Sequence, residues 1–454
     1  MSAVKVQKRL FGTNGVRGVT GRDMTPALAM KIGMALGSMR KGRIAVGRDT
    51  RTSGPALSSA VKAGLLACGC DVTDVGVLPT PALQYIIKNH FDGGAMITAS
   101  HNPPEYNGVK VIDADGTEMG DEDTLLLEDR IFDETFEVQD WRNVGTETSA
   151  PHMVEEYIDA IVSAFPEGIG NGITVVADPG SGPACLTTPV ILRKLGCTVH
   201  TINGQPDGTF PGRLPEPSPE GLYGLSELVK ACSASFGIAH DGDADRAVFV
   251  DENGEFVEEN SEFALVQRFM CRKGDGLVVT PVSTSMKAED VAKETGCEIV
   301  YTPVGSIYVA REMIRLKKEG KDVLFGGEGN GGLIYPDFQF CRDGGMSGAT
   351  MVALLADADK PLSELIESLP GRVMIREKLY TTDFEAVLSA VKKAFAEDDL
   401  DLTDGIRINR ENMWALLRPS GTEPFMRLFV EAASEPEARP FTDEIIGVIK
   451  GITS

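Results

Sequence analysis

No stretch of this 454-residue chain approaches the roughly 20 consecutive apolar residues that a membrane helix needs. The N-terminal segment MSAVKVQKRLFGTNGVRG has no apolar signal-peptide core either, so a cytoplasmic protein is the expectation. Positive charge is scarce: Lys and Arg number 44 against 67 Asp and Glu, a net charge of −23. A surface that acidic repels nucleic acid and anionic membranes, and neither is expected as a partner. An anionic substrate would need positive charge gathered locally against that field. The eight cysteines contain no C-x-x-C pair, and most lie in apolar settings such as LLACGCDV and KLGCTV. Buried reduced thiols are therefore expected, and a cysteine metal site is not. What remains is ordinary globular composition, 42% hydrophobic and 24% charged, at a length that suggests three or four domains.

Three segments are alike: IAVGRDTRTSGPALSSAVKAGLLACGCDVTDVG (44–76), ITVVADPGSGPACLTTPVILRKLGCTVHTING (173–204) and GLVVTPVSTSMKAEDVAKETGCEIVYTPVG (276–305). Each reads as an apolar strand, a Ser/Thr/Gly turn, a helix, then Gly-Cys and a second β-branched strand. The first two share SGPA, and proline in a first helical turn after a hydroxyl residue marks a helix start. Gly69, Gly196 and Gly296 fall where a helix C-cap is wanted. Strand, helix, strand in this order predicts mostly parallel sheets covered by helices. After each copy an apolar strand runs into a polar loop: GGAMITASHNPP, FGIAHDGDADRAVFV and VLFGGEGNGGLIYP. Parallel sheets bind ligands beyond the carboxyl ends of their strands. The tail differs, with a helix (FEAVLSAVKKAFAE) and then successive strands turning at Asn412, and it reads as a smaller α+β domain. The boundaries fall at 1–150, 151–255, 256–369 and 370–454.

Four loops carry chemistry. In MITASHNPPEYNGVKV (96–111) an apolar run ends at Thr98, and Ser100 and His101 follow. Two prolines and Asn107-Gly108 predict an irregular loop that Lys110 closes. Ser100 and His101 can be a helix N-cap and a hydrogen-bonded loop histidine, or the serine can carry a phosphate. In HDGDADR, Asp241, Asp243 and Asp245 alternate, so an extended loop can converge them on one cation, and carboxylates suit Mg²⁺. An acidic surface turn is the plain alternative. An EF-hand fails because Arg246 stands where that loop needs glycine and the flanks are strand-like. An aspartate-nucleophile phosphatase uses the same D-x-D after a strand. RPSGTEP, with Arg418, Ser420, Gly421 and Thr422, followed by Arg427, offers guanidinium groups, hydroxyls and turn amides to a dianion. It is also the local positive charge that the acidic balance calls for. GGEGNGG places Glu328 and Asn330 among glycines, which suits sugar hydroxyls, although a flexible turn would look similar.

Together and in this order, TASHNP with NGVK, DGDADR, GGEGNGG and RPSGTEP resemble the loops of the α-D-phosphohexomutase family. FGTNGVRG and GRDTR (47–51) match it as well, and the resemblance spans essentially the whole chain. It implies three similar α/β domains with mixed, mostly parallel sheets, plus a smaller C-terminal α+β domain, around a central cleft. It implies that phosphorylated Ser100 donates its phosphoryl group to a hexose monophosphate, and that the other phosphate of the resulting 1,6-bisphosphate returns to Ser100. Ser100, Asp241, Asp243 and Asp245 would hold Mg²⁺, and hexose 1,6-bisphosphate would serve as primer. By similarity Arg17, Lys110 and Arg246 line the transfer site, with Lys110 or His101 moving the hydroxyl proton. Glu328 and Asn330 would grip the ring. Arg418, Ser420, Gly421, Thr422 and Arg427 would hold the second phosphate. The partner is then a small sugar phosphate, and the chain a monomer or homodimer.

Bacterial glucose and mannose mutases of the family typically read GEMSGH in the sugar loop. GEGNGG looks more like the archaeal phosphoglucosamine and phosphomannose mutases, and TPVGSIYVA lacks a histidine that some relatives place there. The expected reaction is glucosamine 6-phosphate to glucosamine 1-phosphate. The alternatives are a phosphomannomutase or phosphoglucomutase of the same mechanism, and an aspartate-dependent phosphatase.

Overall fold

The strand-helix-strand repeats account for much of the architecture, and their α-helices open on Gly54-Pro55 after Ser53, on Thr188-Pro189, and on Met286 after Ser285. The computed structural model describes residues 10–12, 15–381, 383–419 and 425–453. The chain divides into two compact units, Met1–Val257 with Gly331–Glu364, and Glu258–Asn330 with Leu365–Ser454.

In the first unit β1 (Val16–Val19), β2 (Arg43–Arg48), β3 (Asp71–Val77), β4 (Gly93–Ile97), β5 (Tyr106–Asp113) and β6 (Glu147–Ser149) form one sheet, ordered β1-β5-β4-β2-β3-β6. β2 runs parallel to β3 and β4, and β3 to β6, whereas β5 is antiparallel to β1 and β4. A second sheet joins β7 (Thr174–Asp178), β8 (Thr198–Thr201), β9 (Phe236–His240) and β10 (Ala247–Val250) in the order β10-β9-β7-β8, with only β10 antiparallel. Ile32, Leu36, Val46, Leu57, Val61 and Ile97 are fully buried in the first core, and Val176, Leu225, Val229 and Ala239 pack in the second.

In the second unit β11 (Leu277–Pro281), β12 (Glu298–Thr302) and β13 (Val323–Glu328) are parallel, with β11 central. The short β14 (Gly332–Ile334) falls in the first unit. The tail is a five-stranded antiparallel sheet of β15 (Val373–Tyr380), β16 (Asp399–Asp401), β17 (Ile406–Arg410), β18 (Met413–Pro419) and β19 (Phe425–Ala432), ordered β15-β19-β18-β17-β16. Strand alternation gives its two faces separate tasks. Ile408, Leu417, Leu428 and Val430 bury against Val387, Val391, Phe441 and Ile445 of the helices Phe384–Ala394 and Glu435–Thr453. On the other face Trp414 and Leu416 pack with Val282 and Met286. Asn412 takes φ 60° in the turn between β17 and β18.

The three predicted cap glycines have φ of 84°, 103° and 77° at Gly69, Gly196 and Gly296, the left-handed region a helix exit needs. All eight cysteines are free, and six are buried. No helix among the described residues is long and apolar enough to cross a membrane.

Two local expectations are corrected. The second SGPA opens only a 3-10 turn, Pro183–Leu186, and the α-helix starts at Thr188, where Pro189 gives it a proline of its own. Lys110 does not close an irregular loop, because β5 already spans Tyr106–Asp113 and pairs Lys110 with Met96 of β4. The irregular stretch is confined to residues 98–105, since Gly108 packs against the carbonyl oxygens of Val16 and Thr98 as part of the sheet.

Candidate active site

β4 is buried throughout and delivers Thr98, Ala99 and Ser100 to the end of the sheet, all three buried. Ser100 takes φ 49°, a conformation that costs a non-glycine residue on the order of 1–3 kcal/mol and persists only where its surroundings enforce it. Its Oγ donates to Asp241 Oδ2 at 2.7 Å and lies 3.5 Å from His101 Nδ1. Partial burial, and then the charge of Arg246, lower the His101 pKa to about 4, so the ring is neutral at pH 7. Arg17, on β1, donates to Asn102 Oδ1 at 3.2 Å.

The loop between β9 and β10 brings Asp241, Asp243 and Asp245 together, each buried, with one oxygen from each within 4.8 Å of the others. Its flanks pair as an antiparallel hairpin, His240 opposite Ala247, so the helix-loop-helix of an EF-hand is absent here. Lys110 Nζ stands 2.9 Å from Asp243 and 3.2 Å from Asp245. Thr80, in the first turn of the helix Thr80–His90, donates its hydroxyl to Asp243 Oδ2 at 2.6 Å. Arg342 ion-pairs with Asp245. Arg246 forks onto Glu216 at 3.0 and 3.1 Å, and its Nε lies 3.5 Å from Asp241.

Burial and the two neighbouring carboxylates push Asp241 up to about 7. Burial also opposes the charge on Asp243, but Lys110 and the Thr80 hydroxyl overcome it and hold Asp243 far below the usual carboxylate range. Lys110 is desolvated as well, yet Asp243, Asp245 and Glu118 raise its pKa and keep it an ammonium. Asp243 Oδ1 and Asp245 Oδ1 are buried with no hydrogen-bond partner among the described residues. Orphaned carboxylate oxygens are costly without a cation, and an all-oxygen donor set suits a hard divalent ion. The trio fits a metal.

Gly242, between two of these aspartates, has the Ser100 carbonyl oxygen 2.2 Å from the place its Cβ would occupy. Backbone meets backbone there, and no side chain fits. Gly242→Ala is expected to force the loops apart and weaken divalent-ion binding by about 10-fold or more, the range for disturbing the support of a metal ligand, as calorimetry can measure.

In the second unit, Glu328 ends β13 and is buried, and the Asn330 amide donates to the Glu328 carbonyl at 2.7 Å in a tight turn. Arg418 on β18 and Arg427 on β19 are direct cross-strand partners, and Lys378 on β15 is the partner of Arg427 on its other side. Three cations thus share one row and one face. Like charges directly opposite destabilise a sheet, so such a row suits a bound anion. Arg418 pairs with Asp404 at 3.0 Å, while its Nε is buried without a partner among the described residues. Ser420, Gly421 and Thr422 lie outside the described residues, as do Thr13 and Asn14 of FGTNGVRG.

Sequence reasoning missed Thr80, Glu216, Arg342 and Lys378. Glu216 sits between Pro215 and Pro217 with no motif around it, and Lys378 is an unremarkable lysine until its strand is paired.

Four family profiles match the chain. They are Phosphoglucomutase/phosphomannomutase, alpha/beta/alpha domain I over residues 8–138, domain II over 155–254, domain III over 258–373, and the C-terminal domain over 372–448. The chain is similar to a phosphoglucomutase/phosphomannomutase of Thermococcus kodakarensis, 45% identical over 96% of this chain and 97% of the relative. It is also similar to a probable phosphoglucosamine mutase of Methanopyrus kandleri, 43% identical over 97% of this chain and 98% of the relative. Among solved structures it resembles a phosphoglucomutase/phosphomannomutase family protein from Burkholderia thailandensis, with a TM-score of 0.86, 27% identity and 97% of each chain covered.

Proposed function

The chain belongs to the phosphoglucomutase/phosphomannomutase family and is a phosphohexose mutase, and from that premise we propose that Ser100 carries the transferred phosphoryl group, with glucosamine phosphate as the preferred substrate. One observation carries the reading above the rest: Ser100 Oγ lies 2.7 Å from a buried carboxylate of the aspartate trio. Mg²⁺ held by Asp241, Asp243, Asp245 and the seryl phosphate would act as a Lewis acid on the phosphoryl group.

The chain's own residues do the remainder. In the first half-reaction the P–O bond to Ser100 breaks, and a P–O bond to the free hydroxyl of a hexose monophosphate forms. Neutral His101 takes the proton of the attacking hydroxyl and returns it to the departing Ser100 oxygen, 3.5 Å from its Nδ1, so that serine ends as a hydroxyl and the ring ends neutral. Lys110 stays charged and, with Arg17 and Arg246, balances the charge spread over the phosphoryl oxygens. In the second half-reaction the other phosphate of the hexose 1,6-bisphosphate returns to Ser100, so a bisphosphate also primes the unphosphorylated enzyme. Glu328 and Asn330 bind ring hydroxyls. Arg418 and Arg427, beside Lys378, bind the phosphate that does not react.

Glucosamine is favoured by the GEGNGG loop and by the name borne by the Methanopyrus kandleri relative. Glucosamine, glucose and mannose phosphates compared by kcat/KM at one primer concentration test this, with glucosamine phosphate expected to be highest. Stoichiometric release of inorganic phosphate with no primer requirement would instead reveal an aspartate-dependent phosphatase. The net charge of −23 argues against nucleic acid and anionic membranes as partners.

Arg418→Ala is expected to weaken sugar-phosphate binding by roughly 1.5–3 kcal/mol, the range for a hydrogen bond to a charged group. Calorimetry with an unreactive phosphate ester reads it directly. An unchanged affinity would remove this end of β18 from the site.

A further inference from the structure

Two buried arginines take no part in the chemistry above, yet both hold the loops that do. Arg51 is fully buried beside Asp49, one residue beyond β2. Its Nε donates to Asp49 Oδ2 at 3.1 Å. The two Nη atoms donate to the carbonyl oxygens of Ser100, Asn102, Pro103 and Tyr106 at 2.7, 2.6, 2.6 and 2.9 Å. All five guanidinium N–H donors are thus committed, three of them to the serine loop and one to Tyr106 at the start of β5. A second arm reaches the same residue, because Asp49 Oδ2 accepts from the Thr98 hydroxyl at 2.7 Å and Thr98 Oγ1 accepts from the Ser100 N–H at 2.9 Å. Ser100 is therefore gripped by both its N–H and its C=O, which is how its left-handed φ of 49° is held.

The second sheet has its own version. Asp178 ends β7 at the position that aligns with Asp49 when IAVGRD and ITVVAD are superimposed. Arg213 donates from Nε to Asp178 Oδ2 at 2.9 Å. Its Nη atoms reach the carbonyls of His240, Leu214 and Asp178 at 2.7, 3.0 and 3.1 Å. His240 immediately precedes the aspartate trio. Arg51 lies two residues after its aspartate and Arg213 lies 35 after, so the two guanidinium groups come from unrelated places in the chain to the same aspartate position. A repeat that merely kept an ancestral contact would place them at matching positions. Arrival by separate routes argues that each loop has to be held.

We propose that Arg51 and Arg213 are positioning residues, Arg51 with Asp49 and Thr98 aiming the Ser100 hydroxyl, and Arg213 with Asp178 setting the metal loop. The inference rests on the reading of Ser100 as the phosphoryl carrier and of the aspartate trio as the metal site. Lysine can keep the ion pair in either place but cannot fork across several carbonyls.

The test uses Arg51→Lys and Arg213→Lys in the full chain. Two quantities are read: the rate at which glucose 1,6-bisphosphate phosphorylates Ser100, by intact mass and ³¹P NMR, and the Mg²⁺ affinity of the unphosphorylated protein, by calorimetry. Arg51→Lys is expected to slow phosphorylation on the order of 100-fold, the cost of about 1 Å of misplacement, with Mg²⁺ affinity unchanged. Arg213→Lys is expected to weaken Mg²⁺ binding by roughly 10- to 100-fold. If Arg51→Lys does not fold, Thr98→Val and Thr98→Ser decide, with phosphorylation slowed in the first and restored in the second. Equal losses of both quantities in both variants would reduce the arginines to general stabilisers and overturn the proposal. So would an unaltered phosphorylation rate in Arg51→Lys, or in Thr98→Val where it stands in. Wild-type protein separates the two readings. If it takes up no phosphate, the carrier role of Ser100 fails, while the Arg213 result still judges the metal-loop clamp.

Discussion

Ser100→Ala is expected to bring turnover to the detection limit while leaving Mg²⁺ binding measurable. The substitution removes a single oxygen, and the aspartate trio keeps all its ligand atoms. On the proposed reading, what disappears is the group that holds a phosphoryl in line with the sugar hydroxyl. Forfeiting such an arrangement costs on the order of 10⁵-fold, the lower end of measured effective molarities. Folding should survive, since Ser100 Oγ makes one strong hydrogen bond, to Asp241, and alanine fills less space. Steady-state assay with saturating bisphosphate primer measures the loss, and calorimetry measures the retained metal site. Residual activity within ten-fold of wild type would mean that phosphorus travels by another route.

The second large effect concerns the trio. Chelation with EDTA, or Asp243→Asn, is expected to lower kcat on the order of 10³-fold, equivalent to about 4 kcal/mol of charge stabilisation at the transferring group. Asp243 is the sharper probe because its Oδ2 is already engaged by Lys110 and Thr80, and its orphaned Oδ1 is the atom left for a metal. Asparagine keeps the shape and removes the charge. Re-addition of Mg²⁺ should restore the chelated enzyme and fail to restore the variant. Full activity in the presence of excess EDTA would end the metal-assisted account.

Much of this was legible in the sequence because the relevant groups are contiguous. Asp241, Asp243 and Asp245 lie within five residues, so any extended loop brings them together. The strand-helix-strand repeats announced their sheets by periodicity, and Gly296 announced a helix end by its conformational freedom. The rest depended on pairing that a linear reading does not contain. Lys110 looked like the end of a loop because Asn107-Gly108 commonly turns the chain. Here the sheet absorbs that pair, since β5 finds partners on both sides, in β1 and β4. The second SGPA repeated the letters of the first, but Ser181 adopts φ 59° and the helix waits for Thr188. Glu216, Arg342 and Lys378 come from segments remote from the groups they neighbour, and only the fold brings them into range.

The cationic row on the C-terminal sheet has a consequence for energetics. Lys378, Arg427 and Arg418 repel one another across neighbouring strands, so this edge of the fold is weakest when it is empty. On the proposed reading of this row as the phosphate seat, an ester settling there would quench the repulsion and tighten the strands that hold it. Affinity at such a seat would contain a share of folding free energy, returned as each product leaves.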